Sequence, residues 1–263
     1  MDLGLTGKRA LVGGASRGLG LAVARALVSE GAEVLLSARG RPALEAAAAE
    51  LGRLPGARVH LHPADLARPE DREALFAAAE RALGQVDILV ANAGGPPPGP
   101  FEAHPAEHWQ LALELSLGQL THLCRLALPG MRRRGFGRVV QIVSIAGLEA
   151  MDGLILSNAS RPAVLGCAKA LAREVAPHGV LVNSICPGIF LTDRIRELGR
   201  ERARAEGVTE EAWLRAFCAD IPLGRPGRPE EVGDLAAFLC SPRNSYVTGA
   251  TLVIDGGKTR RLG

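Results

Sequence analysis

Seven short apolar runs recur along the chain at 9–14, 33–37, 58–62, 86–91, 138–144, 180–186 and 251–255. Segments of helical period fill the intervals, at 18–30, 42–52, 69–83, 105–133, 157–177 and 229–240. The runs are continuously apolar rather than alternating, the mark of strands buried on both faces. Parallel neighbours need a crossover of a dozen or so residues, and a helix is its usual form. The pattern predicts an α/β fold, a parallel sheet with helices on both faces. No repeat or linker-like composition interrupts it, and the proline-rich stretch 94–100 follows a strand directly, so residues 1–263 read as a single domain.

Charge and cysteine usage narrow the possible partners. The net charge is only +3, with basic residues dispersed among 28 acidic ones. The one basic run, 132–134, falls where a helix should end, a place that favours cations. No nucleic-acid partner is expected. The five cysteines, at 124, 167, 186, 218 and 240, are odd in number and never spaced as CxxC. Neither a disulfide framework nor a metal site is expected, and the usage fits a reducing compartment. No apolar run approaches the ~18 residues of a membrane span. Residues 1–8 lack a basic region followed by an apolar one, so a cytoplasmic location is expected.

The first predicted strand runs into Gly13-Gly14-Ala15-Ser16-Arg17-Gly18-Leu19-Gly20, from which a helix opens. Glycines let such a turn close tightly and approach a pyrophosphate, whose charge the helix N-terminus favours. The spacing Gly14-x-x-x-Gly18-x-Gly20 differs from GxGxxG. On its own it reads either as a nucleotide cradle or as a structural connection.

Further pieces stand in order along the chain. Asp65-Leu66 ends the third strand, Asn92-Ala93-Gly94 the fourth and Ser144-Ile145-Ala146-Gly147 the fifth. Pro187-Gly188 and then Thr192 follow the sixth, and Tyr246-Val247-Thr248-Gly249 with Asp255-Gly256-Gly257 closes the series. This series resembles the short-chain dehydrogenase/reductase family, in the branch similar to 3-oxoacyl-carrier-protein reductases, over roughly residues 5–257. The resemblance implies a Rossmann-like, doubly wound sheet of seven parallel strands, a bound nicotinamide dinucleotide and a homotetramer. It implies a small-molecule carbonyl or alcohol substrate. It also implies cofactor contacts at Gly14, Ser16, Arg17, Gly18, Leu19, Gly20, Asp65, Leu66, Asn92, Ala93, Gly94, Pro187, Gly188 and Thr192.

Charge separates the two dinucleotides. A carboxylate after the second strand bonds the ribose hydroxyls of NAD, whereas an arginine accommodates the 2′-phosphate of NADP. Where family members using NAD carry Asp, this chain has Ala38, followed by Arg39, and Arg17 sits inside the glycine turn. NADP is expected, with NAD as the alternative. The bland reading makes both arginines solvated surface groups.

The resemblance breaks at the chemistry. Family members use a tyrosine as proton donor, a lysine four residues later to tune it and hold the nicotinamide ribose, a serine to orient substrate and an asparagine for a proton relay. The serine matches Ser144. Where Tyr-x-x-x-Lys belongs, this chain reads Ser157-Asn158-Ala159-Ser160-Arg161, and the relay position is Ser116. The only tyrosine, Tyr246, has Ala250 four residues on, so no such pair exists in the sequence. Serine is no comparable acid, but arginine is a permanent cation with five donors. Arg161 can bond the ribose and stabilise charge on a carbonyl oxygen, with Ser144 and Ser157 adding hydrogen bonds. The competing reading makes 157–161 a helix start, with Ser157 or Asn158 near its cap. Two functions remain open: a reductase or dehydrogenase with a rearranged acid, and a catalytically impaired dinucleotide-binding regulator or partner subunit.

Other candidates are weaker. His104 and His108, four apart beside Trp109, read as surface helix residues, with a pocket or relay role as the alternative. His60 and His62 lie on a strand far from the expected site. Glu149 and Asp152 fall between the two serine positions and read as solvated loop carboxylates. Residues 194–217, rich in Arg and Glu, read as a mobile helical flap within about 190–220, or as a solvated helix with no gating role.

Overall fold

The strands form where the apolar runs stand: β1 (Arg9–Val12), β2 (Glu33–Ala38), β3 (Arg58–Pro63), β4 (Ile88–Ala91), β5 (Gly137–Ile142), β6 (Val180–Pro187) and β7 (Thr251–Ile254). The computed structural model describes residues 2–260. The ends of the single domain read from the sequence, residue 1 and 261–263, lie outside the described residues. All paired strands run parallel, in the order β3-β2-β1-β4-β5-β6-β7. The chain works outward from β1 to β3, then begins again at β4 on the other side of β1. A crevice opens at that reversal, beyond the carboxyl ends of β1 and β4.

Residues of the inner strands alternate between two cores. Leu11, Leu35, Leu89, Val139 and Val182 face one core, which also holds Leu75, Leu120 and Val164. Val12, Val34, Val90, Val140 and Ile185 face the other, with Val23, Leu44 and Val232. The first layer is built by α3 (Pro69–Leu83), α5 (Gln119–Arg134) and α6 (Ile155–Val175). The second is built by α1 (Gly18–Ser29), α2 (Arg41–Leu51) and α9 (Pro229–Cys240). The predicted doubly wound architecture is the observed one.

One element departs from expectation, and a second is helical as expected. The segment read as one helix over 105–133 is α4 (Ala106–Leu113), then a π turn (Glu114–Gly118), then α5. A π turn widens the backbone locally and often marks a functional place. The 190–220 segment is a pair of helices, α7 (Asp193–Glu206) and α8 (Glu210–Phe217). They share a small apolar contact of their own, where Trp213 stacks on Phe217 at 4.7 Å and Gly199 leaves room for the indole.

A buried cation fastens the end of the sheet opposite the crevice. Arg138, at the start of β5, donates to the carbonyls of Gly137, Gly179, Ser241 and Asn244 at 2.9–3.3 Å. Its guanidinium and the Lys8 ammonium both lie over the Phe136 ring. Among the described residues, no helix is long and apolar enough to cross a membrane.

Candidate active site

The glycine turn is held against the ends of β2 and β4, the two strands that neighbour β1. Gly13 donates to Val90 O at 3.0 Å, Ala15 donates to Ser37 O at 2.9 Å, and the Asn92 side chain donates to Gly13 O at 3.1 Å. A side chain on Gly14 would strike the Asn92 amide at 2.5 Å, and one on Gly20 would strike the Gly14 carbonyl. These positions admit only glycine because backbone and Asn92 fill the space. The concave backbone and the opening of α1 form a cradle suited to an anionic ligand.

Of the other residues expected at the dinucleotide, Leu66, Asn92 and Thr192 border this cradle. Leu66 is buried, and its Cδ1 lies 3.0 Å from where a Gly13 side chain would begin. Asp65 accepts from Ala67 N at 3.0 Å, shaping the turn after β3. Gly18 faces Thr192 across the mouth, where a side chain on the glycine would begin 3.5 Å from Thr192 Cγ2. Ser16, Leu19, Asn92 and Ala93 are half-buried and Gly94 is exposed. Pro187 is buried at the end of β6, and Gly188 packs so closely on Asp255 that a side chain would meet its Cβ at 2.7 Å. Arg17 and Arg39 are exposed, and their guanidiniums have no hydrogen bond or ion pair among the described residues.

Arg161 is buried at 7% exposure, under the loops that follow β4 and β5. Its Nη2 lies 3.9 Å from where a Gly95 side chain would begin, and its Cβ lies 3.1 Å from the same point on Gly147. Gly147 thus makes room for it. The guanidinium makes one long bond, Nη1 to Ile142 O at 3.5 Å, and its Nε is buried without a partner. Burial pushes its pKa down, opposed weakly by the neighbouring Cys186 thiol. Ser157, one helical turn earlier on the same face, is half-buried with a hydroxyl that has no partner among the described residues. The Ser144 hydroxyl caps a short turn by accepting from Ala146 N at 3.1 Å.

Several sequence readings need correction. Ser157 and Asn158 lie in the first turn of α6, close behind Leu154 at the N-cap position, where no side chain makes a capping bond; Asn158 instead binds back to Met151 N and O. His104 is not on the helix surface. It precedes α4, is 8% exposed, and meets His108 through an Nδ1–Nδ1 contact of 3.2 Å. Glu149 is not merely solvated, since it accepts from Arg260 N at 3.0 Å. Ser116, at the relay position, is 1% exposed and shares a 3.1 Å hydrogen bond with Ser160. Sequence reading missed Ser160, because only the three-dimensional approach of the π turn to α6 reveals it.

Among the described residues, no other side chain stands in for the tyrosine–lysine pair. Tyr246 is 98% exposed near the other end of the sheet. Lys169 donates to Gly249 O, Lys258 pairs with Asp220, and Lys8 lies over Phe136. His60 is bonded to Glu33 on the sheet edge, and burial with nearby Arg81 and Arg41 pushes the His62 pKa down. No group of three or more potential metal ligands occurs among the described residues.

Known proteins with this architecture share its sequence as well. A family model described as enoyl-(acyl carrier protein) reductase matches residues 14–259. D-beta-hydroxybutyrate dehydrogenase of Cupriavidus necator is 36% identical, covering 96% of this chain and 98% of its own. L-sorbose reductase of Gluconobacter frateurii, solved with NADPH and L-sorbose, superposes with a TM-score of 0.96 at 33% identity, covering 100% of both chains. A Pseudomonas aeruginosa short-chain oxidoreductase, solved with NADPH and containing an atypical catalytic center, gives a TM-score of 0.88 at 32% identity, covering 97% of this chain and 98% of that one. Likeness of this extent, along nearly the whole of each chain, is decisive: the protein belongs to the short-chain dehydrogenase/reductase family.

Proposed function

We propose that this protein is an NADP-dependent oxidoreductase that interconverts a small carbonyl compound and its alcohol, with Arg161 as electrophile in place of the tyrosine–lysine pair. The observation that carries the proposal is the buried Arg161 Nε with no partner, on a guanidinium whose single bond is 3.5 Å long. A cation so poorly satisfied inside a protein is costly, and such groups gather where a ligand completes them. The cradle of Gly13, Gly14 and Gly20 fits a pyrophosphate. The two free guanidiniums of Arg17 and Arg39 fit a 2′-phosphate. NADPH in solved relatives supports the same choice.

The dinucleotide, when bound, supplies or accepts the hydride. In the reducing direction a C–H bond forms and the carbonyl π pair moves onto oxygen. Arg161 holds that negative charge through spare N–H donors. Ser157 donates a hydrogen bond to the same oxygen, and Ser144, whose hydroxyl proton is not used by its cap, donates a second. None of the three is an acid near neutral pH, so the proton on the product oxygen comes from water or from a group of the substrate. A homotetramer, on the family resemblance, and a cytoplasmic location, on the scattered cysteines, are part of the proposal.

Ser157→Tyr with Arg161→Lys restores a proton donor and the cation that tunes it. NADPH oxidation, followed over a panel of small ketones and 3-oxoacyl thioesters, should be slow in wild type and faster in this double variant. Turnover absent in both, with tight NADPH binding, would favour the second reading, a regulatory or partner subunit. That reading draws on the surroundings of Arg161, where among the described residues the titratable neighbour is the buried Cys186 thiol and no carboxyl, imidazole or phenol pairs with the guanidinium. Wild-type rates already in the ordinary range of about 1–1000 per second would refute the altered-acid mechanism.

A further inference from the structure

A single buried cation joins the loop after β3 to the π turn. Arg72, on the first turns of α3, is 2% exposed. Its Nε donates to Leu66 O at 2.7 Å and its Nη2 to Ala67 O at 2.9 Å, so it grips the two carbonyls that follow Asp65. The same Nη2 pairs with the carboxylate of Glu114, the first residue of the π turn. Two residues on, Ser116 shares its hydrogen bond with Ser160, the neighbour of Arg161. Polar contacts thus run from loop 65–67 to the helix that carries the proposed electrophile.

Glu114 reaches Arg72 because Gly118 has no side chain. A Cβ at 118 would fall on the Glu114 carboxylate, within 2.9 Å of its Cδ. Since the carboxylate is the end of a flexible side chain, it would swing aside and leave Arg72. A buried guanidinium without its counter-charge draws in water or moves toward solvent. Either response loosens its hold on Leu66 and Ala67. Leu66 packs against the glycine turn, so the loss reaches the wall of the cradle.

We infer that Arg72 is a positioning residue for the adenosine half of the dinucleotide, with Glu114 and Gly118 keeping it in place. This rests on the NADP reading above. It assigns a task to a buried charge that the hydride chemistry does not use.

Calorimetric titration of wild type, Glu114→Gln and Gly118→Ala with NADPH and with 2′,5′-ADP, which carries only the adenosine half, tests the inference. Gly118→Ala removes a helical glycine, a change that by propensity favours the helix. Thermal unfolding of each unliganded variant identifies any folding defect. In both variants the dissociation constants of NADPH and 2′,5′-ADP should rise by the same factor, at least about fivefold. A larger factor for NADPH than for 2′,5′-ADP would mean general loosening of the site and overturn the inference, as would unchanged affinity for both. Failure of wild type to bind NADPH would refute the NADP reading itself, and this inference with it.

Discussion

Replacing Arg161 with methionine should cost activity while adding stability. Arg161 is 7% exposed, its one hydrogen bond is 3.5 Å long, and its Nε faces no acceptor. Methionine has similar reach and no charge to desolvate, and its flexible thioether fills irregular space. Replacing a buried ion pair by apolar groups of similar volume is neutral or stabilising by about 1–4 kcal/mol, and Arg161 has no counter-charge among the described residues to lose. In a chain of this size, each kcal/mol raises Tm by about 2–4 °C. Losing a donor to a developing oxyanion costs about 2.7–4 kcal/mol, or about 10²–10³-fold in kcat. The expected signature is therefore a rise in Tm of the unliganded protein together with a fall in kcat. Differential scanning fluorimetry and NADPH oxidation on one preparation measure both. A lower Tm would show that the guanidinium is satisfied in the fold, and an unchanged kcat would show that it does not touch the reacting oxygen. Either result refutes the reasoning.

Arg39→Asp should reverse or abolish a preference for NADPH over NADH of at least about tenfold, or about 1.4 kcal/mol; equal binding of the two by wild type in a fluorescence titration would refute the charge argument. The Arg225 fork, 2.7 and 3.1 Å from Glu231, and Arg228 N at 2.7 Å hold the Glu231 carboxyl down at about 2. Its folded value lies below the ordinary one, so its stabilisation is full above about pH 4.3 and fades as pH falls toward 2. Glu231→Gln should cost about 1 kcal/mol at pH 7 in urea unfolding, a difference that closes in acid; a pH-independent difference would refute the ion pairing. Light scattering at micromolar concentration should return a tetramer mass, and a monomer mass would count against the assembly.

The sheet was legible because burial on both faces leaves a plain pattern in one dimension. β4 and β6 are buried throughout, and their apolar runs locate them. The glycine turn was legible for a similar reason, since Gly14 and Gly20 answer to close backbone contacts that exclude other residues. The replacements at Ser157 and Arg161 stood out only against the family's pattern, because nothing in a serine and an arginine four apart suggests chemistry. Contacts across elements left no such trace. The π turn depends on how Glu114 folds over Gly118 toward Arg72, a residue 42 positions away. His104 looked like a helix residue because its spacing to His108 is helical, yet the chain before α4 turns it inward.

The four carbonyls gathered by Arg138 bear on how such a chain can change over time. They belong to the starts of β5 and β6 and to the stretch leading toward β7, all at the end of the sheet remote from the crevice. A fold clasped at one end tolerates rewriting at the other, because substitutions there do not compete with the contacts that keep the strands in register. On the proposed reading, Ser157 and Arg161 in place of a tyrosine and a lysine are a change of that kind. Architecture and the proposed chemistry then rest on separate residues, at opposite ends of the sheet.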